Sequence, residues 1–197
     1  SVSTRVFLLS EDPLTPDTDL TALLSVDEDG ARGEFATALL DGSHRLRAVA
    51  RDRAGNEAEI TVGFVVDTLV PEVAIDQPQS NTFLGTAEPV IVLLYDDERS
   101  GIDPELTQVK IDGVEYASSL TLTPTGATLT LARSLGLDLA DGSHLIEASV
   151  SDRAGNSAGA APVTFGVDTV LPTAEVLAPL AQTFVGSPAP ALRLTIE

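Results

Sequence analysis

The sequence predicts an all-β protein, a tandem series of β-sandwiches laid out as a linear rod, and three observations lead there. Composition is the first: 43% of the 197 residues are hydrophobic but only 4% aromatic, with 15 glycines and 12 prolines. Many short strands packed through Val, Leu, Ile and Ala and separated by turns have this balance. The second is an internal repeat of about one hundred residues, the usual size of a seven-stranded sandwich. The third is period-two alternation of apolar and polar residues, with no amphipathic helical pattern between the alternating runs.

The repeat is explicit. Asp41-Gly42-Ser43-His44 recurs as Asp141-Gly142-Ser143-His144, and Asp52-Arg53-Ala54-Gly55-Asn56 as Asp152-Arg153-Ala154-Gly155-Asn156, a shift of 100 (141 − 41). Val66-Asp67-Thr68 recurs as Val167-Asp168-Thr169, a shift of 101 (167 − 66), so one residue is inserted between the two blocks. The same shift of 101 carries Thr82-Phe83-Leu84-Gly85 onto Thr183-Phe184-Val185-Gly186, and Glu197 then falls opposite Asp96. Upstream, Val6 and Leu8 match Val109 and Ile111 with a shift of 103, placing Ser1 opposite Pro104. The expected organisation is a repeat lacking its first strands over 1–67, a complete repeat over 68–168, and the first two strands of a third over 169–197.

Strands follow from the alternation. His144, Ile146, Ala148 and Val150 share one face, as do His44, Leu46, Ala48 and Ala50, with Arg45, Arg47 and Arg51 expected outward. Val62, Phe64 and Val66, and in the next copy Val163, Phe165 and Val167, line up after the Arg-Ala-Gly-Asn turn, giving a hairpin in each copy. Earlier runs at Val73 and Ile75, Val90 to Tyr95, Val109 and Ile111, Leu120 and Leu122, and Leu129 and Leu131 bring the middle copy to seven strands. The links Asp67-Thr68-Leu69-Val70-Pro71 and Asp168-Thr169-Val170-Leu171-Pro172 are short, and proline fixes its own φ and extends the residue before it, so little hinge freedom is expected.

Charge and residue usage narrow the function. Thirty acidic against eleven basic residues leave a formal charge of −19, which repels nucleic acid and anionic lipid and attracts divalent cations, or simply keeps an exposed rod in solution. Cysteine is absent, removing disulfides, thiolate metal sites and thiol nucleophiles, and this favours bacterial over animal secretion. No run of 18 apolar residues is long enough to span a bilayer, and membrane insertion is not expected. The opening SVSTRVFLL is not a signal peptide, and the lack of Met suggests a processed product or a piece of something longer. No GxSxG, HExxH, GxGxxG or phosphate-loop motif occurs, so an enzyme is not expected. With no Trp and few exposed aromatics, sugar stacking is a weak reading.

The string DGSHxLxAxxxDRAGN, the following FxVDTxxP and the preceding Ser100-Gly101-Ile102-Asp103 resemble the bacterial immunoglobulin-like domain repeats of large surface proteins and adhesins. The resemblance covers essentially the whole chain. It implies tandem immunoglobulin-like sandwiches in an extracellular rod that holds a binding tip away from the cell or knits a matrix. It also implies neighbouring domains of the same protein as partners, identical subunits entering only with the filament alternative below, and in some members calcium held by acidic side chains near the junctions.

Two sets of polar residues compete for roles. His44 and His144 occupy equivalent positions where such folds place a corner tyrosine, which argues against a general base. Asp52, Asn56, Asp152 and Asn156 bracket a turn in which their oxygens accept backbone N–H groups, or else form part of a calcium shell completed by Asp67 or Asp168 and by Asp96, Asp97 and Glu98. Calcium is the only cofactor the sequence suggests.

The leading functional expectation is a structural or adhesive extracellular rod, the ends of the chain reflecting a segment of a longer array. A self-assembling filament subunit, in which strands within 174–196 complete the N-terminal repeat of the next subunit, is the alternative. An accessory binding module of a secreted enzyme is a further one. Closure within one chain is disfavoured, because 172–197 would have to reach back past a middle domain roughly 40 Å long at about 3.3 Å per residue.

Overall fold

The computed structural model describes residues 3–11, 15–27 and 30–197. Among the described residues the fold is all-β, with strands, three single 3-10 turns and no α-helix. Among the described residues no helix is long and apolar enough to cross a membrane.

The first repeat contributes β1 (Ser3–Leu8), β2 (Thr18–Asp19), β3 (Ser25–Val26), β4 (Ala31–Arg32), β5 (Gly42–Arg51) and β6 (Glu57–Val66). They form a sheet ordered β2-β1-β5-β6 and a separate two-stranded ribbon of β3 and β4. Asp52-Arg53-Ala54-Gly55-Asn56 closes the β5–β6 hairpin: Gly55 supplies the positive φ of 92° that the turn demands, and the Asp52 N–H donates to the Asn56 carbonyl across it while the Asn56 N–H donates to the Asp52 carboxylate. Arg45, Arg47 and Arg51 share the outward side as expected; Arg45 and Arg51 are exposed and Arg47 is partly covered. Its guanidinium sits 5.0 Å over the Phe7 ring and 3.5 Å from Asp17, because β1 and β2 extend the sheet beside it and a long side chain there covers an aromatic face.

The middle repeat builds a full sandwich. β7 (Glu72–Gln77), β8 (Phe83–Leu84), β9 (Val90–Asp96), β10 (Ile102–Ile111), β11 (Val114–Glu115), β12 (Leu120–Thr123), β13 (Gly126–Thr130), β14 (Gly142–Asp152), β15 (Ser157–Gly159) and β16 (Val163–Val167) divide into two sheets. One runs β11-β10-β14-β16-β8 with β15 on β14; the other runs β12-β13-β9-β7. Ile91, Leu93 and Tyr95 of the second meet Val109, Ile111, Ile146, Val150 and Phe165 of the first in one core, each 4% exposed or less. Burial of these alternate residues is what makes the period-two pattern legible. After β7 the chain changes sheets through Asn81 (φ 61°), so β8 pairs in parallel with β16 instead of antiparallel with β9.

The single inserted residue has a structural identity. In the first repeat β5 and β6 keep one register from Gly42↔Val66 to Arg51↔Glu57. In the middle repeat Ser149↔Gly159 and Ile146↔Val163 differ by one residue in register, so the extra residue is accommodated as a break between β15 and β16. Pro162 lies in that break, where it owes the ladder no N–H.

The remaining residues form a ribbon of β17 (Ala174–Ala178) and β18 (Arg193–Ile196). It copies β7 and β9: Val73↔Tyr95 and Ile75↔Leu93 reappear as Ala174↔Ile196 and Val176↔Leu194, each residue displaced by 101. Gln182 (φ 60°) repeats the left-handed bend of Asn81.

Candidate functional site

The repeated motifs account first for architecture. Asp41 accepts hydrogen bonds from the backbone N–H of Thr68 at 3.1 Å and from its hydroxyl at 3.0 Å, and Asp141 does the same for Thr169 at 3.0 and 2.9 Å. Each DGSH segment thus clamps the link that follows its own repeat. The histidine of the same segment bonds back to a carbonyl four residues upstream, His44 Nε2 to Leu40 O at 2.7 Å and His144 Nε2 to Ala140 O at 2.8 Å. Each ring also packs 5.5 Å from a phenylalanine, His44 from the half-buried Phe64 and His144 from the core Phe165.

The two histidines then diverge. His144 Nδ1 lies 2.7 Å from Asp112 Oδ2, so both ring nitrogens face acceptors and both must donate, which requires imidazolium. Burial alone would lower the His144 pKa, but the Asp112 carboxylate and the Ala140 carbonyl together raise it above the ordinary histidine value. Burial likewise pulls Asp112 up, and the bonds from His144 and the Leu145 N–H outweigh it, leaving Asp112 below the ordinary aspartate value. With both nitrogens engaged, neither is placed to take a substrate proton. The first repeat has Leu9 where the middle one has Asp112 (112 − 103).

The acidic residues suggested for a cation do not all converge. Asp67, Asp97 and Asp152 each bring one carboxylate oxygen within 4.8 Å of the other two. Asp67 follows β6 and is 8% exposed; its Oδ1 accepts the Leu69 N–H at 3.1 Å and its Oδ2 the Ser100 N–H at 3.0 Å. The Ser100 bonds, strongest among the causes, hold its carboxyl below the ordinary range against burial. Asp97 curls the loop after β9 by accepting the N–H groups of Arg99 at 3.2 Å and Gly101 at 2.5 Å. Asp152, only 1% exposed at the end of β14, accepts the Asn156 N–H at 2.8 Å and side-chain amide at 2.7 Å. That amide also reaches the Asp67 carbonyl at 3.0 Å, tying the end of the first repeat to the hairpin turn of the next.

Asp52 and Asn56 repeat the inner geometry of this turn, at 2.9 and 2.8 Å, and the Asn56 side chain leads in lowering the Asp52 pKa. Asp52 belongs to no cluster of three such side chains among the described residues. Asp96 stands beside Glu72 on a shallow groove, Glu98 lines a neighbouring one, and neither joins the triad. Asp168 copies Asp67 in accepting the Val170 N–H at 3.1 Å. The triad suits a hard divalent cation: its donors are all oxygen, each oxygen of Asp67 and Asp152 holds one N–H and retains a second lone pair, and Asp97 takes both of its N–H groups on Oδ1, leaving Oδ2 to donate. Ser100 and Asp112 are the partners that sequence reading missed. Each belongs to a loop whose approach to Asp67 or His144 spans more than thirty residues, and only the absence of Asp112 from the first repeat marked it.

No protein-family model matches the chain, and no curated protein matches it. Among solved structures it is similar to the fibronectin(III)-like modules of CbhA from Clostridium thermocellum, with 18% identity over 83% of this chain and 76% of that one, at a TM-score of 0.42. It is also similar to a tetra-tandem repeat in the extending region of a large adhesion protein, with 21% identity over 91% of this chain and 45% of that one, at a TM-score of 0.40. A third likeness is to an endo-beta-1,4-mannanase from Thermotoga petrophila, with 11% identity over 53% of this chain and 21% of that one, at a TM-score of 0.42. The chain thus spans about a fifth of the mannanase and under half of the adhesion protein.

Proposed function

We propose that this chain is a structural segment of an extracellular bacterial surface protein, a stalk of tandem immunoglobulin-like sandwiches with a divalent cation, calcium by its donor set, at the repeat junction. The observation that carries the reading is the junction itself. The Asn156 amide holds the Asp67 carbonyl, Ser100 holds the Asp67 carboxylate, and three carboxylates from a link, a loop and a hairpin turn face one another there. Three like charges in contact repel, and a bound cation converts that repulsion into a tie between elements that a bend at the link would separate. The recurring DGSH and DRAGN segments support a mechanical role, since their polar groups clamp links and turns in each copy.

Thermal unfolding and small-angle scattering in calcium and in EGTA test this. Calcium at one hundred times its Kd stabilises a protein that binds it only when folded by about 2.7 kcal/mol, raising Tm of a domain this size by roughly 10 to 20 °C. Two stacked repeats whose longest strands rise about 3.3 Å per residue should then scatter as a stiff particle roughly 70 to 80 Å long, and EGTA should broaden its shape. Equal Tm values and equal profiles with and without calcium would remove the cation from the proposal. A bent profile in calcium would remove the stalk.

A further inference from the structure

His44 and His144 sit in the same DGSH segment and each ring touches the carbonyl four residues upstream, yet among the described residues only His144 has a carboxylate at its other nitrogen. That carboxylate decides where the proton sits when the ring is neutral. His44 can carry it on Nε2 and donate to Leu40 O at 2.7 Å whether the ring is charged or not. His144 lacks this freedom. A neutral ring protonated on Nε2 would turn its Nδ1 lone pair on the Asp112 carboxylate at 2.7 Å, a full negative charge. The proton therefore stays on Nδ1, and the Nε2 lone pair faces the Ala140 carbonyl at 2.8 Å. Two acceptors at that distance repel.

Asp112 is held in place to enforce this. Its Oδ1 accepts the Leu145 N–H at 2.9 Å, which fixes Oδ2 on the ring. Leu9 occupies the same site in the first repeat: its N–H donates to Arg45 O at 2.9 Å as the Asp112 N–H does to Leu145 O at 2.9 Å, but its side chain has no acceptor. Ala140, in turn, is next to the clamp on the link. Asp141 Oδ1 receives the Thr169 N–H at 3.0 Å and hydroxyl at 2.9 Å. The segment is anchored upstream by the Leu139 N–H on Ala87 O at 2.8 Å, and downstream Gly142, with a φ of 142° that favours glycine, gives it a hinge.

We infer that His144 is a proton-operated latch on the link after the middle repeat: imidazolium, held between Asp112 and Ala140, keeps Asp141 on Thr169, and the neutral ring releases it. The matching clamp of Asp41 on Thr68 has no such control, so the two links of one chain respond differently to pH. The use of the latch, a link that stiffens in acid and loosens in base, rests on the stalk reading; its contacts lie wholly within the middle repeat and the link that follows.

No other charged group competes for the ring among the described residues. On β10 and β11, Lys110 and Glu115 pair with each other at 4.0 Å, and before β14 Arg133 pairs with Asp138 at 2.9 Å. Glu147 lies on the outward face of β14, Asp141 is turned to Thr169, and β16 opposite the ring carries no charged residue. Burial lowers the His144 pKa, but the bonds to Asp112 and Ala140 outweigh it and leave it raised. The latch is thus fully closed below about pH 6.5 and opens as pH rises through the folded value.

NMR of the whole nitrogen-15-labelled chain, with calcium chelated, tests this. Above its folded pKa, His144 should be protonated on Nδ1 and His44 on Nε2, as read from the ring nitrogen shifts. The Thr169 amide protection factor, which removes the intrinsic pH dependence of exchange, should fall roughly tenfold between about pH 5.5 and 8.5, the worth of one hydrogen bond to a charged group. The Thr68 amide should change less than about twofold, and the amides of β9 should keep their protection. Asp112→Asn retains an acceptor for Leu145 and offers its amide N–H to Nδ1, so neutral His144 returns to Nε2 and Thr169 should stay protected throughout. A neutral His144 protonated on Nε2 in the unaltered chain, a flat Thr169 profile, or an equal fall at Thr68 would overturn the inference. A fall at Thr169 that persists in Asp112→Asn would assign it to another group and overturn it equally. Because every readout is local to one link and free of calcium, these failures are distinguishable from failure of the stalk reading.

Discussion

Leu93 and Leu194 occupy the same repeat position, and truncating each to alanine separates sequence from burial. Leu93 is 1% exposed, between the two sheets of the middle sandwich. Removing its three outer carbons forfeits about 2.4 kcal/mol of transfer free energy at about 0.8 kcal/mol per carbon. The cavity left among Val109, Ile146 and Phe165 raises the cost to about 3 to 4 kcal/mol, since sheets held by continuous ladders collapse only partly. At 4 to 8 °C per kcal/mol for a domain of this size, Tm of the middle transition should fall by about 12 to 30 °C. Leu194 is 52% exposed on a two-stranded ribbon, so the same truncation in dilute solution should cost about 1 kcal/mol at most and leave the middle transition unchanged. Circular dichroism melts of the two variants decide the matter. Comparable shifts in the middle transition for both, or a cost below about 1 kcal/mol for Leu93→Ala, would refute the argument from burial.

Gly126→Ala should cost at least about 2 kcal/mol, because the new Cβ meets the Leu93 carbonyl at 2.5 Å and a ladder must move. Gly166→Ala meets only the ring of Phe83, which is 82% exposed and can swing away, so under about 1 kcal/mol is expected; urea titration compares the two. Tyr95→Phe should cost about 1 to 2 kcal/mol by the same assay, because its hydroxyl lies 2.8 Å from both the Thr123 and Gly126 carbonyls. The Asp112–His144 pair should make the middle repeat pH-dependent. The raised His144 pKa contributes stability that is fully present below about pH 6.5 and is lost as pH rises through the folded value. The lowered Asp112 pKa contributes stability present above about pH 3.9 and lost as pH falls through its folded value. Denaturation midpoints should therefore peak between these limits, with an amplitude on the order of 1 kcal/mol after discounting for the half-exposed Asp112 carboxylate. Asp112→Asn should flatten the profile, and an unchanged profile would sink the pairing.

Much of this protein is local and therefore readable. Alternation along 144–150 and 163–167 marks one face as core because a strand presents every second residue to the opposing sheet. The recurrence of Asp41 and Asp141 or of Asp52 and Asp152 marked residues that every copy uses, although recurrence alone did not distinguish a cation ligand from a turn. Asp52 and Asp152 make the same two bonds to Asn56 and Asn156, yet only Asp152 meets two other carboxylates. That difference comes from the link before the repeat and the loop after β9, so the motif itself does not contain it. The cover over Arg47 was not legible for a similar reason: the alternation gives its outward face, but β2, paired with β1 through Phe7↔Asp19, decides what partly covers that face.

The sequence by itself determined the all-β class, the hundred-residue period, the hairpin turns and the one inserted residue, because each depends on neighbours in the chain or on copies that can be laid side by side. Only the tertiary structure decided that the insertion falls in a broken strand at Pro162, that Asp67, Asp97 and Asp152 converge while Asp52, Asp96 and Asp168 do not, and that His144 is held by Asp112. Those outcomes depend on which loops the two sheets bring to one end of the sandwich, and packing over separations of thirty to ninety residues leaves no periodic trace in the chain.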